Sequence, residues 1–366
     1  KAKSVDEKLG HLTKFFKNGL LNFDVKNGKK IIYEIEKRVT KKIPDIKTSY
    51  KGKNKITYIK QCKTAHLYKC MNIFVSISNV VENFNFNYSI TPSNQRLNSN
   101  ITNISKYLRQ CFTYNGTPLT QLDLSSSQPL LLYHFLSNKP WKKEQNNNTI
   151  NNRNQVLIQF NVMLKDRVGK HTNMLDTLNK IDDEKLNDEL IRFKKLFDGD
   201  FYNNMIGEVK KYNPKTLKTT GFDNRKNCKK NMMYLLFEGF YTENEKNIKQ
   251  YILFKNTFPT ITSILDSLKE NKKNSVALIL QRLESDLFLN NITKYISEAD
   301  PEIPMFTIHD AILTTPEHVE YVNNIMTEII SNTIGVIPLI SIIKSNVNIT
   351  DDKLDEITDS IIDDIK

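Results

Sequence analysis

Two short apolar runs, far apart in the chain, each place an aspartate where a strand ends. Asp123 lies in the run 119–124, which follows the hairpin signal Asn115-Gly116. Asp310 lies between two apolar runs in 305–313, and their alternation predicts a hairpin that turns at His309-Asp310. Pairing these strands would bring two carboxylates together, and this requirement restricts the topology of the chain more than any other sequence feature.

Helical periodicity dominates most of the remaining sequence. Pro129 and the apolar residues after it predict a helix that begins near Gln128, and Thr315-Pro316-Glu317 predicts a helix start. The pattern also predicts helices over 154–211, 225–240 and 274–296, a final strand over 336–343, and an exposed Asn- and Lys-rich loop or insertion over 138–155. Short strands among separate helices predict an α+β fold, with an antiparallel sheet that carries helices on one face.

The charge of the chain points to an anionic partner. The formal net charge is +12, and residues 1–60 contain seventeen Lys or Arg against six Asp or Glu. From residue 311 onward ten acids face three bases, so the basic half is predicted to meet a phosphate backbone, with nucleic acid the first candidate. The alternative is that an AT-rich genome, phage or mobile element simply encodes many Lys and Asn residues.

The cysteines and the hydropathy pattern narrow the classes of protein further. The four cysteines show no C-x-x-C spacing, which disfavours a zinc site or disulfide framework and fits a reducing, cytoplasmic setting. No apolar stretch reaches the length of a membrane span, so we expect no membrane partner. No signal peptide is visible, and because the chain begins at Lys1 we expect it to be a fragment of a longer protein.

Two carboxylates on neighbouring strand ends suit a particular chemistry. Such a pair can hold two Mg²⁺ ions about 3.5–4 Å apart for in-line phosphoryl transfer. Mg²⁺ prefers one or two carboxylates plus substrate phosphates to a full protein cage. Asp123 and Asp310 are therefore candidate metal ligands, although a strand-end aspartate is commonly a turn former or a helix cap.

A basic stripe lies between the two aspartates in the sequence. Arg225, Lys229, Met233 and Phe237 recur at intervals of four, which keeps them near one face of a helix. Two cations followed by two apolar groups match the order of a nucleoside triphosphate, whose charged phosphates precede a flat base. The alternative is a surface helix with an ordinary apolar face.

The order carboxylate, basic helix, carboxylate resembles the polymerase region of family A DNA polymerases over residues 90–350. Further segments are similar to this family in the same order. They are Arg96-Leu97-Asn98-Ser99 with Thr102-Asn103-Ile104 and Leu108-Arg109-Gln110-Cys111-Phe112, Asp123-Leu124-Ser125-Ser126-Ser127-Gln128, Gly199-Asp200-Phe201-Tyr202, Arg225-x₃-Lys229-x₇-Phe237, Gln281…Asp286, His309-Asp310-Ala311 and Ile337-Pro338-Leu339.

The resemblance implies a polymerase right hand within the α+β class, with an antiparallel palm sheet, helical fingers and a reduced helical thumb. The implied domains are a basic thumb-like region (1–90), the first part of the palm (91–140), fingers with an insertion (141–272) and the second part of the palm (273–366). There is no room for a proofreading exonuclease. The implied cofactors are two Mg²⁺ ions, for which Mn²⁺ can substitute, and the implied partners are primer-template nucleic acid and nucleoside triphosphates.

The resemblance also implies roles for single residues. Asp123 and Asp310 would hold the metal ions, and Arg225 and Lys229 would bind the β- and γ-phosphates, with Lys229 also protonating the leaving group. Met233 and Phe237 would pack against the bases, and Gln128 would lie where the sugar is selected. Arg96 and Gln281 would reach the minor groove, and His309 the terminal primer nucleotide.

Several departures from the family pattern leave the sugar choice open. The family has Glu where this chain has Gln128, an aromatic residue where it has Met233, Gly where it has Glu238, and a further acid where it has Ala311. Single-subunit phage-type RNA polymerases share the palm and also carry Met at the position of Met233. The sequence therefore predicts a DNA polymerase first. The alternatives are a single-subunit RNA polymerase or primase-like enzyme, and a catalytically silent nucleic-acid-binding palm module.

Overall fold

A computed structural model describes residues 4–42, 86–142, 150–165, 172–213, 222–237, 245–270, 273–345 and 350–365. The expectations for Cys62, Cys70, Glu238 and residues 143–149 of the loop predicted over 138–155 lie outside these ranges, as does much of the thumb-like region 1–90. No helix among the described residues is both long enough and apolar enough to cross a bilayer.

Nine strands and fifteen α-helices are present in the described residues. The strands are β1 (Leu21–Phe23), β2 (Tyr88–Ile90), β3 (Leu97–Ser99), β4 (Phe112–Tyr114), β5 (Thr117–Pro118), β6 (Thr120–Leu124), β7 (Phe306–Ile308), β8 (Ala311–Thr314) and β9 (Ile340–Ile343). The helices of the first half are α1 (Val5–Lys17), α2 (Val25–Lys42), α3 (Asn100–Asn103), α4 (Ser127–Asn138), α5 (Ile150–Lys165), α6 (Thr172–Asn179) and α7 (Asp183–Lys195).

The helices of the second half form one long series. They are α8 (Phe201–Tyr212), α9 (Arg225–Phe237), α10 (Glu245–Thr257), α11 (Pro259–Lys269), α12 (Ser275–Ser285), α13 (Thr293–Ala299), α14 (Val319–Ile334) and α15 (Asp351–Ile365). A π-helix (Asp286–Ile292) joins α12 to α13, and 3₁₀ helices span Lys106–Cys111 and Pro316–His318. This mixture of helices and antiparallel sheets confirms the α+β class.

The sheet that carries both aspartates has four antiparallel strands in the order β7-β8-β6-β9. The predicted hairpin at His309-Asp310 is confirmed, because β7 pairs with β8 on either side of that turn. The strand that contains Asp123 lies at the centre and pairs with β8 and β9. The last strand is shorter than the predicted 336–343, since pairing begins only at Ile340.

Hydrophobic cores cover both faces of this sheet at the edge formed by β7 and β8. One face contributes Leu122, Leu124 and Ile312 to the larger core, which also includes apolar residues of α4 and α14. The other contributes Phe306, Ile308, Ala311 and Leu313 to a second core with α1 and α2. The expectation of helices on one face alone was wrong, because β7 and β8 are buried at every position and have no solvent-facing side.

Local sequence signals explain where the elements begin. Ser4 and Glu7 form a capping box at α1, with the Glu7 amide donating to the Ser4 hydroxyl at 3.2 Å. The helix predicted from Gln128 begins at Ser127 and continues to Asn138. The basic helix ends at Phe237 within the described residues. The exposed loop predicted over 138–155 is shorter than expected, because α5 already begins at Ile150.

Candidate active site

Asp123 lies on the central strand, one residue before β6 ends. Its Cα partners are Ala311 on β8 and Ser341 on β9, and its side chain is half-buried. Gln121, two residues earlier and so on the same face, donates its side-chain amide to Asp123 Oδ1 at 3.3 Å. The carboxylate therefore lies at the middle of the sheet, on the face to which Ala311 and Leu313 of the second core also belong.

Asp310 occupies the turn between β7 and β8. The preceding residue, His309, has a left-handed backbone with φ of 54°, which turns the chain tightly enough for the hairpin. Leu124 donates its backbone N–H to the Asp310 carbonyl at 3.0 Å, and Ser127 donates its hydroxyl to Asp310 Oδ2 at 2.6 Å. Ser127 begins α4, shortly after the strand of Asp123 ends, and its hydroxyl thus orients the Asp310 carboxylate.

The two carboxylates influence each other electrostatically. Burial raises the pKa of Asp123, and the negative charge of Asp310 raises it further, whereas Lys106, Gln121 and Lys229 oppose the shift. Like charges at close range disfavour double ionisation unless a cation is bound between them. The strand pairing and this mutual effect show that the fold brings Asp123 and Asp310 together.

Arg109 is a cation beside this pair to which the sequence analysis gave no role. It belongs to the 3₁₀ helix before β4, and its burial lowers the pKa of the guanidinium while both aspartates oppose that shift. Its Nε is buried without a hydrogen-bond partner among the described residues. The only signal in the sequence was its position in the segment Leu108-Arg109-Gln110-Cys111-Phe112.

The donor set of the aspartate pair fits Mg²⁺. Both ligands are carboxylates, which hard divalent cations prefer, and a bound cation would offset the repulsion that raises the pKa of Asp123. The described parts of the chain contain no group of three or more His, Cys, Asp or Glu side chains placed to hold a metal. Two carboxylates suffice where substrate phosphates complete the coordination, and this is how Mg²⁺ is usually bound in phosphoryl-transfer sites.

The predicted basic stripe lies on one helix, α9, but its two cations differ in their surroundings. Arg225 donates from Nε to Asp200 Oδ2 at 2.8 Å, so part of its charge is already compensated. Lys229 is exposed, and its charge lowers the pKa of Asp123. Met233 and Phe237 are half-buried and pack against the larger core. The charge of Lys229 thus acts on Asp123, and the apolar end of the stripe packs against the core.

Tyr202 contacts both the basic stripe on α9 and Ser126, which directly precedes α4. The sequence alone assigned Tyr202 no function. Its ring lies 5.5 Å from the Arg225 guanidinium and 6.0 Å from Lys229 Nζ. Burial raises the pKa of Tyr202 to about 12, and a hydrogen bond with Ser126 opposes that shift. Ser126 has a left-handed backbone directly before α4. Tyr202 is buried and thus contacts both the two cations of the stripe and the residue that precedes α4.

Glu284 forms a buried network with two of the predicted site residues. Arg96 donates from Nε to Glu284 Oε2 at 2.8 Å, and Gln128 donates from Nε2 to Glu284 Oε1 at 2.6 Å. Burial raises the pKa of Glu284 to about 7; the charge of Arg96 opposes the shift and that of Asp310 adds to it. Glu284 was missed because it lies inside the segment Gln281…Asp286 at a position without a motif residue.

The other predicted nucleic-acid contacts lie near this network. Gln281 accepts a hydrogen bond from the Asn94 side chain at 3.1 Å. His309 is half-buried, and burial lowers the pKa of its imidazole. Arg96 and Asp310 both act on the pKa of His309, and Gln281 is linked to Arg96 through Asn94. The contacts of all three predicted residues to nucleic acid stay predictions.

Comparison with known proteins gives weak structural similarity and no sequence match. No protein-family model matches the chain, and no curated protein matches its sequence. Among solved structures, the chain is similar to the polymerase domain of Pol1 from M. smegmatis, determined in complex with DNA primer-template and dNTP. The identity is 10%, the TM-score is 0.39, and the similarity covers 89% of this chain and 67% of that chain.

Proposed function

We propose that this protein is a template-directed nucleotidyltransferase, most readily a DNA-directed DNA polymerase that uses two Mg²⁺ ions. The single observation that supports the proposal best is the pairing of β6 with β8, which brings Asp123 beside Asp310, where the charge of Lys229 opposes the rise in the pKa of Asp123. Two carboxylates and a facing cation match the needs of a triphosphate whose α-phosphate is attacked in line.

Different residues of the chain would have different roles in nucleotide transfer. Asp123 and Asp310 would hold the metal ions, which supply charge neutralisation and activate the primer 3′-hydroxyl. Ser127 and Gln121 orient those carboxylates by hydrogen bonds. Lys229 would bind the phosphates released as pyrophosphate and would give the leaving group a proton.

The polymerase right hand, with palm, helical fingers and reduced thumb, belongs to the same proposal. The four-stranded sheet would be the palm, and the series α5 to α11 would be the fingers. Helices α1 and α2 would belong to the thumb-like region, and α2 carries exposed Lys26, Lys30 and Lys37 for a nucleic-acid backbone. The domain boundaries given above and the absence of a proofreading exonuclease are part of the proposal.

The test is extension of a labelled primer-template with each nucleotide set, with and without Mg²⁺. We expect Mg²⁺-dependent extension directed by the template. Retained Mg²⁺-dependent duplex binding without any extension would replace the proposal by the catalytically silent palm module. Extension by ribonucleotides in place of deoxyribonucleotides would favour the RNA polymerase or primase-like alternative.

A further inference from the structure

The exposed face of α2 carries a row of lysines with one aromatic residue among them. This lysine row consists of Lys26, Lys30, Tyr33, Lys37 and Lys41, and all five side chains are exposed. Successive residues of an α-helix turn by about 100°, so the five side chains lie within an arc of roughly 80°. The apolar residues of α2 fall outside this arc and belong to the second core.

The charges of the lysine row are available to a partner. Among the described residues, Arg38 is the cation of α2 that forms ion pairs, with Asp351 and at 2.9 Å with Asp355 of α15, and no ion pair there involves the four lysines. The acids of α2 itself, Glu34 and Glu36, fall on either side of the arc. A row of like charges of this kind attracts an anionic partner.

Tyr33 distinguishes this surface from an ordinary solvated lysine face. It lies between Lys30 and Lys37 along the row, and 63% of it is exposed. A ring this exposed buries little apolar area in the fold, so packing does not explain it. Aromatic rings beside a positively charged track are what proteins use to bind single-stranded nucleic acid, because every base has a π-face on which a ring can stack.

Other anionic partners fit the lysine row less well. A duplex offers phosphates to the lysines, but its base faces are stacked inside and cannot meet Tyr33. A membrane surface would require a broad apolar face next to the lysines, and the row contains one aromatic residue only. An acidic protein would use the lysines and leave the ring without a role.

Helix α15 limits this surface on the side of Arg38. It packs against α2 in the second core through Leu354, and its exposed acids Asp352 and Glu356 repel phosphates. A strand would therefore follow the row along α2. The row spans 15 residue steps, or about 22 Å, which is enough for about six nucleotides at ~3.4 Å each.

We propose that the lysine row of α2 binds single-stranded DNA, with the lysines contacting phosphates and Tyr33 stacking on an unpaired base. The inference rests on the proposed function for nucleic acid as the partner of α2. It goes further by naming the form of the nucleic acid and the side chain that distinguishes it from a duplex.

The experiment measures dissociation constants by fluorescence anisotropy at low salt, without Mg²⁺ or nucleotides. The probes are a labelled strand of about twelve thymidylates, an abasic strand of equal length and a duplex of equal length. For Tyr33→Ala we expect the dissociation constant for the thymidylate strand to rise about 10-fold, because the stacked base loses its partner. Binding of the abasic strand and of the duplex should change less than about 2-fold.

Two matched variants identify the ring as the cause. Tyr33→Phe keeps the ring and should bind the thymidylate strand within about 2-fold of the unmodified chain. Tyr321→Ala removes a tyrosine that is 38% exposed on α14, a helix without Lys or Arg, and should leave all three affinities unchanged. Equal weakening of the thymidylate and abasic strands by Tyr33→Ala would rule out stacking and overturn the proposal.

The lysines are tested by salt dependence. Replacing Lys30 and Lys37 with Gln should reduce the slope of log K against log salt concentration for the thymidylate strand by about 1.4, because each phosphate contact to a single strand contributes about 0.7. An unchanged slope would remove the lysine row from the binding surface. Polyglutamate that displaces the strand as well as unlabelled thymidylates do would show that charge alone is recognised, and would also overturn the proposal.

Failure of this inference can be told apart from failure of the proposed function. Primer extension together with unchanged thymidylate binding in Tyr33→Ala would overturn the inference and leave the proposed function standing. Binding that depends on Tyr33, without extension under any condition, would overturn the proposed function and support the lysine row as a single-strand site.

Discussion

Ser127 donates its hydroxyl to Asp310 Oδ2 at 2.6 Å, so the helix that follows the first aspartate strand holds the second aspartate in place. The contact joins residues that lie 183 positions apart in the sequence. It links the two carboxylates through α4, whose first turn also carries Gln128. The orientation of Asp310 and the position of Gln128 therefore depend on the same helical turn.

Neutralising either aspartate should abolish extension without unfolding the protein. For Asp123→Asn and Asp310→Asn we expect a loss of primer extension of about 100-fold or more, because a neutral amide binds Mg²⁺ poorly. The free energy of unfolding should stay constant or rise by up to about 1 kcal/mol, since the repulsion that raises the pKa of Asp123 is removed. Extension assays and urea unfolding measure the two effects.

The matched control for that pair is Asp188→Asn, an exposed aspartate on α7. It should change neither extension nor stability. Wild-type extension by both site variants would remove the metal assignment, and equal loss in all three variants would point to a general effect of lowered charge.

Lys229→Ala should weaken the use of triphosphates. We expect KM for the nucleotide to rise about 10-fold, which is the typical loss for a charge-assisted hydrogen bond to phosphate. Lys230→Ala is the control, because Lys230 is an exposed neighbour on the same helix and faces about 100° away. Steady-state kinetics at saturating primer-template measures KM for the nucleotide in both variants. Equal KM values would exclude Lys229 from the site.

Tyr202→Leu should disturb nucleotide binding through the two cations that lie over its ring. Loss of two cation–π contacts and of the bond to Ser126 should raise KM by about 3- to 10-fold. Tyr202→Phe keeps the ring and should recover most of the nucleotide affinity, while Tyr295→Leu, at an exposed tyrosine, serves as the control. If the Phe variant is as impaired as the Leu variant, the hydroxyl and not the ring is what matters.

Titration of Glu284 should make the free energy of unfolding depend on pH. Burial raises its folded-state pKa to about 7 from the usual value of 4.5, so the folded protein binds the proton of Glu284 more tightly than the unfolded chain. Stability from this group is therefore present below about pH 4.5 and is lost as pH rises toward about 7, by an amount on the order of 1–3 kcal/mol. Urea unfolding from pH 4.5 to 8 should show a steeper decline in the parent than in Glu284→Gln.

Duplex binding should fall with salt, and the exposed lysines of α2 should account for part of that slope. Replacing Lys30 and Lys37 with Gln should reduce the slope of log K against log salt concentration by about 1.8, because each phosphate contact contributes about 0.9. The same replacement at Lys194 and Lys195 on α7 is the control and should leave the slope unchanged. A salt-independent affinity in the parent would contradict binding to a phosphate backbone.

The sequence predicted the aspartate strands because their signals are local. Asn115-Gly116 precedes β6, and the apolar runs on both sides of His309 match the hairpin. The cations of α9 were also predictable, since spacing of four residues is a property of one helix. Turn residues, apolar runs and four-residue spacing all involve residues that are close together in the sequence, so these features can be predicted from local patterns.

The network around Glu284 could not be predicted in the same way. Its partners Arg96 and Gln128 lie 188 and 156 residues away in the sequence. A buried charge becomes interpretable only when its partners are known, and periodicity gives no information about partners in distant segments. The second covered face of the sheet was missed for a related reason, because an apolar run of three or four residues does not show which elements pack against it.

The position of β6 between two later strands affects how the protein matures during translation. Both neighbours of β6 leave the ribosome only after α4 to α13 have been made, and β9 follows α14 as well. The strand of Asp123 therefore emerges long before either edge that will hydrogen-bond to it, and pairings of this range close slowly. A nascent chain that stops before residue 306 contains most of the helices and lacks every strand that pairs with β6.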